Sequence, residues 1–355
     1  MAVERCPVQA RLFCNVADRN IGIVPVFQKL QQGFHNTVLD QCVIQIFSPW
    51  QSDTSLEMLR FRVRGTENIE YNDNCRYHDS VKCRHHQRGV IDMKYFLILL
   101  ALSLLASSCG FYQYVWFISI GYGAAIALIG AGLLILFSQS LTVGTVLQCT
   151  LFVIYGCRLS GYLIYRDRKT AYHRRMKGEV KENNSVSPAA KIGIWVSAAL
   201  LYVLETSPVL FRLTEQKGTD LFCIVGFVIS AVGLLLETTA DLQKNRAKKK
   251  NPGRFVETGL FRLVRCPNYF GEMTFWTGVF VSGLNVCRSA GMWICAVLGY
   301  AGIIYVMFGG ARRLEIRQDK NYGNDPEYQR YKSTTPIMIP FVPIYSVKDH
   351  KWLVA

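Results

Sequence analysis

The dominant feature of the hydrophobic pattern is a long stretch without charge. From Tyr95 to Cys157 the chain contains no Asp, Glu, Lys, Arg or His. A membrane-spanning helix needs about 20 apolar residues, so this stretch has room for roughly two to three spans. With the later apolar runs, the pattern predicts about seven spans in an all-α, multi-pass transmembrane helix bundle. The predicted spans are about 95–112, 114–137, 141–163, 192–211, 221–240, 272–286 and 290–309.

The residues before the first span differ from the rest. Residues 1–92 contain no long apolar run and no clear period, which predicts a poorly patterned N-terminal extension. Met93, followed by Lys94 and an apolar run, would itself be a plausible chain start. One hypothesis is therefore that residues 1–92 are a dispensable extension or a misassigned translation start. The remaining chain divides into a membrane domain at 93–345 and a tail at 346–355.

The extension holds the one group of residues with the chemistry of zinc ligands. Cys75, His78, Cys83 and His85 are of suitable types and close in sequence, but their spacing fits no zinc finger. A solvated loop is the favoured interpretation, and no metal site is predicted.

The net charge of +15 lies almost entirely after the extension, mostly in loops and the tail. Two linkers, at 166–191 and 241–270, and the tail after Gly310 are rich in Lys and Arg. The positive-inside rule places these segments, and the C-terminus, in the cytosol. Because no basic face of a soluble module is visible, nucleic acid is not predicted as a partner.

Two spans contain polar residues that are costly at membrane depth and therefore indicate function. Arg158, Tyr162 and Arg166 are spaced by four and share one helix face. Arg158 either holds a ligand or forms an ion pair, and the alternative is that these arginines extend to the lipid headgroups. Glu205 stands within the fourth span, three residues after Tyr202. It is a candidate for proton transfer, or else half of a buried ion pair with an arginine of another helix.

The end of the fifth span carries two acids and a lysine cluster. Glu237 and Asp241 are four residues apart and lie on one helix face, which Lys244 continues. Carboxylates accept hydrogen bonds from ribose hydroxyls, and lysines neutralise phosphate, so this face could bind a nucleotide. The alternative is an ordinary helix end with stop-transfer lysines.

A polar and aromatic cassette, GLFRLVRCPNYFGE, stands directly before the sixth apolar run. Its Arg265 offers planar donors for phosphate or carboxylate. Pro267 is suited to begin a helix, which places Asn268 and Tyr269 at a helix N-terminus, where free N–H groups attract anions. Glu272 follows one turn into the span. Together these residues predict an anionic ligand held at a helix entrance.

The stretches ETTADLQK, GLFRLVRCPNYFGE and DKNYGNDPEYQRYKSTTPIMIPF, in this order, resemble the C-terminal domain of the steroid 5α-reductases. The chain resembles more closely a largely uncharacterised multi-pass branch of that superfamily, which RLSGYLIYR also matches. The resemblance covers about 95–345. It implies a helix bundle of the endoplasmic reticulum that opens to the cytosol, binds NADPH and reduces an enone C=C bond of a sterol-like or acyl lipid.

The resemblance and the residue patterns together give a set of cofactor-binding candidates: Glu237, Asp241, Lys244, Arg265, Asn268, Tyr269, Glu272, Arg312, Tyr328 and Tyr331. The resemblance implies that the last three of these close the cytosolic mouth.

Two departures from the family pattern affect the chemistry. The branch usually has His where this chain has Cys266. The steroid reductases also place a catalytic acid in an early span, whereas this chain has none between residues 95 and 157. The candidate catalytic residues are therefore Tyr269, Glu205 and Tyr202.

Two other functions remain open from the sequence. Membrane methyltransferases that use S-adenosylmethionine carry a related Arg-x-Pro-x-Tyr motif. A non-enzymatic lipid-binding or scaffold protein could also retain this fold.

Overall fold

The computed structural model describes residues 93–167 and 187–353. Within these residues the chain forms eight α-helices and short 3-10 segments, with no strand. The helices are α1 (Met93–Phe111, ending in a 3-10 turn), α2 (Ile120–Leu136), α3 (Val143–Asp167), α4 (Pro188–Thr214), α5 (Leu221–Lys250), α6 (Pro267–Gly283), α7 (Ala290–Tyr322) and α8 (Pro326–Thr334). The predicted all-α fold class is confirmed. The predicted extension, with Cys75, His78, Cys83 and His85, lies outside the described residues.

Five of the described helices, α1, α3, α4, α5 and α7, are long and apolar enough to cross a membrane. Helices α2 and α6 have 17 residues each, or about 26 Å of helix, which is near the lower limit for a span. The chain is therefore an integral membrane protein built as a multi-pass bundle. Helices α5 and α7 continue past their apolar stretches as charged extensions.

The second apolar helix begins later than the predicted residue 114. Tyr114–Ile118 form a 3-10 segment, and α2 begins at Ile120. The ring of Phe117 packs so closely on Gly110 that an added Cβ would lie 2.1 Å from it. This contact folds the 3-10 segment back onto the end of α1, which a pattern of apolar residues does not reveal.

Side-chain caps begin three of the long helices. Ser187, Asp220 and Ser289 each accept a hydrogen bond from the backbone N–H three residues further on. Such caps satisfy N–H groups that have no partner within the helix. Helix α6 instead begins with Pro267, whose missing N–H would have been unpaired in any case.

Helices α5 and α6 approach each other through facing small residues. A Cβ added at Gly278 would lie 2.4 Å from the carbonyl oxygen of Gly226, and one at Gly271 would lie 2.5 Å from the backbone nitrogen of Glu237. At Gly233, a Cβ would come within 2.3 Å of the α6 backbone. Small residues at such positions let membrane helices pack backbone to backbone. This contact fixes Glu237 beside the first turns of α6.

The opposite end of α5 is held by a buried arginine. Arg212 donates from Nη2 to Asp220 and Asn285, at 2.9 and 2.8 Å, from Nε to the carbonyl of Ser282 at 3.0 Å, and from Nη1 to the carbonyl of Gly218 at 2.8 Å. Each guanidinium nitrogen thus has a partner. The network joins the end of α4, the start of α5 and the end of α6.

We expect Gly233→Ala to lower the free energy of unfolding by about 1–3 kcal/mol, because the new methyl group would overlap the backbone of α6. The matched control is Gly161→Ala in α3, where a Cβ meets no atom within 4 Å and the gain in helix propensity makes the change neutral or stabilising. Thermal unfolding in detergent measures both. Equal effects at the two positions would contradict the close α5–α6 contact.

We expect the stability of the bundle to fall between about pH 4 and pH 2. Burial raises the pKa of Asp220, but hydrogen bonds from the Cys223 N–H, Asn285 and Arg212 outweigh it and lower that pKa to about 2. Because the folded pKa lies below the unfolded value of about 3.9, this contribution is present above pH 4 and is lost as the pH falls towards 2.

The measurement is the midpoint of thermal unfolding in detergent from pH 5 to pH 2.5. Asp220→Asn should be less stable at pH 5 and should show a flatter dependence on pH in this range. An unchanged slope in Asp220→Asn would show that other groups cause the loss.

Candidate functional site

One arginine of α3 holds both acids of α5. Arg158 Nη1 donates to Glu237 Oε1 at 2.5 Å, and Nη2 donates to Asp241 Oδ2. The spacing of four residues places Glu237 and Asp241 on one face, as predicted, and the long Arg158 side chain spans both. Arg158 is therefore an ion-pair partner, one of its two predicted roles. Glu237 Oε2 is buried and has no hydrogen-bond partner among the described residues.

A second group of polar side chains lies on α2, α3 and α6. The Glu272 carboxyl faces the hydroxyls of Tyr122 and Tyr155, and these two hydroxyls are 3.3 Å apart. The indole N–H of Trp276 donates to the Tyr122 hydroxyl at 2.7 Å. Glu272 Oε1 has no described partner, so this site retains an acceptor for a further donor.

The carboxyl of Glu205 in α4 lies close to the polar side chains of Glu272 and Tyr122. It interacts with Glu272 and Tyr122, its exposed fraction is 3%, and neither carboxylate oxygen has a partner in the described part of the chain. No arginine among the described residues therefore forms the ion pair that was one interpretation of Glu205. The neighbouring Tyr202 donates its hydroxyl to the carbonyl of Phe117 at 2.8 Å.

We refer to Glu205, Glu272, Tyr122, Tyr155 and Tyr202 as the acid–tyrosine cluster. Each of the five is buried within the apolar bundle or on its boundary. Sequence reasoning missed Tyr122 and Tyr155, because a tyrosine within an apolar span has the same pattern as a core residue. The available signal was the position of Tyr155, one helical turn before Arg158.

A further group of polar side chains lies where α5 and the N-terminus of α6 meet. Helix α6 begins at Pro267, so Asn268 and Tyr269 lie at its N-terminus, as predicted. Lys244 is half-buried beside Cys266 and has no ion-pair or hydrogen-bond partner among the described residues. Asn268 Oδ1 is also buried and unpartnered. We refer to Lys244, Cys266, Asn268 and Tyr269 as the basic mouth.

Cys266 precedes α6 at this mouth. Burial raises the pKa of its thiol to about 11, so it is a neutral thiol at physiological pH. It therefore does not supply the titratable ring of the histidine that is usual at this position.

Arg265 is buried and joins the cassette to the end of the chain. Its Nη2 donates to Glu315 Oε1 at 3.1 Å and to the carbonyl of Tyr345. Its Nε and Nη1 have no partner in the described residues. Arg265 thus has a structural role and also keeps two donors for a ligand.

The three residues expected to close the mouth are engaged within the protein. Tyr328 donates its hydroxyl to Asp319 at 2.9 Å, and Tyr331 donates to the carbonyl of Phe261 at 2.7 Å. Arg312 Nε donates to the carbonyl of Lys348 at 2.9 Å. Tyr331 also lines a surface recess of about 330 Å³. The structure thus brings the acids, Lys244 and the cassette together, and it places the two tyrosines in a separate aromatic cluster.

We expect Arg158→Met to destabilise the bundle strongly, by about 3–5 kcal/mol, because it leaves two buried carboxylates unpaired. Combining it with Glu237→Gln and Asp241→Asn should recover a large part of the loss, since the uncompensated charges are removed. Arg262→Met, at an exposed position, is the control. Thermal unfolding in detergent would contradict the ion-pair role if the triple variant were no more stable than Arg158→Met.

Comparisons with curated proteins link the chain to the steroid 5α-reductases. Steroid 5-alpha-reductase DET2 of Arabidopsis thaliana is 29% identical over 122 residues, which are 34% of this chain and 41% of that protein. The protein of the same name from Gossypium hirsutum is 36% identical over 69 residues, or 18% and 27% of the two chains. The chain thus spans less than half the length of either relative. No solved structure matches.

A family model matches more than half of the chain. It is described as a protein of unknown function (DUF1295) and covers residues 104–335, which include α2 to α8 and the whole acid–tyrosine cluster. The similarity to the DET2 proteins confirms the resemblance to the steroid 5α-reductase superfamily. The chain belongs to the DUF1295 family.

Proposed function

We propose that the chain is an NADPH-dependent membrane reductase that reduces a C=C bond of a lipid, an enone of sterol-like or acyl type. The observation that carries this proposal is the acid–tyrosine cluster inside the apolar bundle. Reduction of a C=C bond adds a hydride to one carbon and a proton to the other. It therefore requires a proton donor at a place where an apolar substrate can bind, and this cluster offers acids and hydroxyls there.

The unpartnered polar atoms fit the groups that NADPH carries. Lys244 and the free Nε and Nη1 of Arg265 would bind phosphate, and Glu237 Oε2 would accept from a ribose hydroxyl. Asn268 and Glu272 would contact the carboxamide. When bound, NADPH supplies the hydride. Residues of this chain orient it and exclude water.

The cluster offers separate groups for the carbonyl and for the proton. The hydroxyls of Tyr122 and Tyr155 lie side by side and would hold the enone carbonyl oxygen by hydrogen bonds. Glu205, in its acid form, would deliver the proton. Tyr202 positions the cluster through its bond to the Phe117 carbonyl. Tyr269 belongs to the basic mouth, and its ring packs on Gly310.

We also propose an orientation of the chain in its membrane and the membrane in which it resides. The charged extensions of α5 and α7 and the start of α6 lie at one end of the bundle, and the positive-inside rule places such basic segments in the cytosol. The mouth would therefore open to the cytosolic NADPH pool, with the C-terminus on the same side. By family likeness, the membrane is that of the endoplasmic reticulum.

The reductase fits the cluster better than the other two candidate functions. Methyl transfer from S-adenosylmethionine delivers no proton to a carbon, so it gives no role to Glu205. A lipid-binding scaffold would have no use for several buried, unpartnered carboxylate oxygens, which are costly to retain without a partner.

Cofactor binding to the detergent-purified chain tests the proposal. A ligand that binds only the folded state stabilises it by about 2.7 kcal/mol at a hundred times its Kd. We expect NADPH to raise the unfolding midpoint and S-adenosylmethionine to leave it unchanged. Asn268→Ala and Lys244→Gln should weaken the NADPH effect, whereas Asn324→Ala, at an exposed position away from the mouth, should retain it.

A second variant separates binding from chemistry. Glu205→Gln should keep the NADPH effect but lose turnover of enone lipids by about 10²-fold or more, the usual contribution of a general acid. A midpoint raised by S-adenosylmethionine alone would favour the methyltransferase. No effect of either ligand on a folded sample would overturn the reductase.

A further inference from the structure

The segment that follows α8 returns to the bundle and forms a tight apolar turn. The backbone N–H groups of Arg265 and Cys266 donate to the carbonyls of Pro336 and Ile337, both at 2.9 Å, and the N–H of Ile337 donates to the carbonyl of Ile344 at 2.8 Å. The turn is thereby attached to the residues that directly precede α6. Its base therefore lies beside the N-terminus of α6.

The tip of this turn presents an aromatic side chain to the outside. Phe341 has an exposed fraction of 94%, the highest among the large apolar side chains described. Its φ is 65°, in the left-handed region that costs an L-residue free energy and is rare for bulky side chains. A strained backbone that holds a large apolar ring away from the protein indicates that the ring has a partner elsewhere.

Beyond the turn, the segment runs back along α7 towards the membrane. The N–H of Val347 donates to Glu315 Oε2 at 2.9 Å, and the hydroxyl of Tyr305 donates to the carbonyl of Trp352 at 2.8 Å. Glu315 and Tyr305 are ten residues apart in α7, or about 15 Å along the helix. Trp352 therefore lies nearer to the apolar, N-terminal part of α7 than Val347 does.

Trp352 lies beside the apolar part of α7, because Tyr305 stands seven residues, or about 10 Å, before the charged end of that part. From Ala290 to Ala311 this helix has no charged residue, and Arg312 is the first. The ring of Trp352 stacks on Tyr305 at 6.2 Å and is 66% exposed. Tryptophan and tyrosine are enriched at the membrane–water interface. The exposed Lys351 stands beside Trp352, where its charge suits anionic headgroups.

We propose that residues 337–353 form an interfacial membrane anchor, with Phe341 and Trp352 inserted into the leaflet at which α6 begins. The occupant of this surface is phospholipid. The argument for lipid is continuity, since Trp352 extends the membrane-facing surface of α7 through Tyr305. Because the same segment holds Arg265 through the Tyr345 carbonyl, the anchor also fixes one wall of the basic mouth.

Photochemical crosslinking tests the anchor directly. Phe341 is replaced by p-benzoylphenylalanine, and the purified chain is reconstituted into vesicles of phosphatidylcholine with or without phosphatidylserine. The matched control carries the same group at Asn324, an exposed position in the connection between α7 and α8, beyond the charged extension of α7. We expect at least tenfold more lipid adduct at position 341 than at 324, measured by intact-protein mass spectrometry.

Other outcomes overturn the proposal. Equal lipid adducts at the two positions would mean that the tip stays in water. A crosslink from position 341 to a second copy of the chain, in place of lipid, would identify a protein contact instead.

A second measurement keeps the proposal falsifiable if labelling alters the turn. Hydrogen exchange of residues 337–353 in vesicles should be faster in Phe341→Asp than in Phe341→Leu, since only the aspartate opposes insertion. Identical exchange in the two variants would contradict insertion of the tip. Neither measurement depends on NADPH binding or turnover.

Discussion

The backbone contact between α5 and α6 is the constraint on which the candidate site depends. Gly271 allows the backbone of α6 to approach Glu237 so closely that no Cβ would fit. Glu237 and Glu272, which stand on different helices, can therefore face one polar interior. Larger residues would separate α5 from α6 and move Glu272 away from Glu237. The small residues thus determine the chemistry as well as the packing.

Buried charge is the second organising factor. Acids at membrane depth are costly unless they are paired or used. The chain pairs Glu237 and Asp241 with Arg158 but leaves both oxygens of Glu205 and one oxygen of Glu272 without described partners. The contrast with Arg212 is informative, because each nitrogen of that buried group is satisfied. Among the described residues, the polar network around Arg212 is complete, whereas the acid–tyrosine cluster retains carboxylate oxygens without a partner.

Much of this arrangement was predictable from the sequence. The spacing of Glu237 and Asp241 placed them on one face, and Pro267 indicated where α6 begins. These are local signals, which depend on helix geometry alone. The partner of Arg158 was not predictable, because it lies about 80 residues away and depends on which helices pack together. Tyr122 and Tyr155 were missed for a related reason, since only the packing of α2, α3 and α6 distinguishes them from core residues.

The position of Arg158 has a consequence for how a nucleotide would bind. This arginine already occupies one oxygen of Glu237 and one of Asp241, so a ribose hydroxyl would meet acids whose orientation is fixed beforehand. Each carboxylate retains a second oxygen to accept from the ligand. Fixed orientation reduces the entropy lost on binding, and Arg158 offsets the negative charge that would repel a phosphate. Under the proposed function, a single arginine would thus allow two acids to face an anionic cofactor.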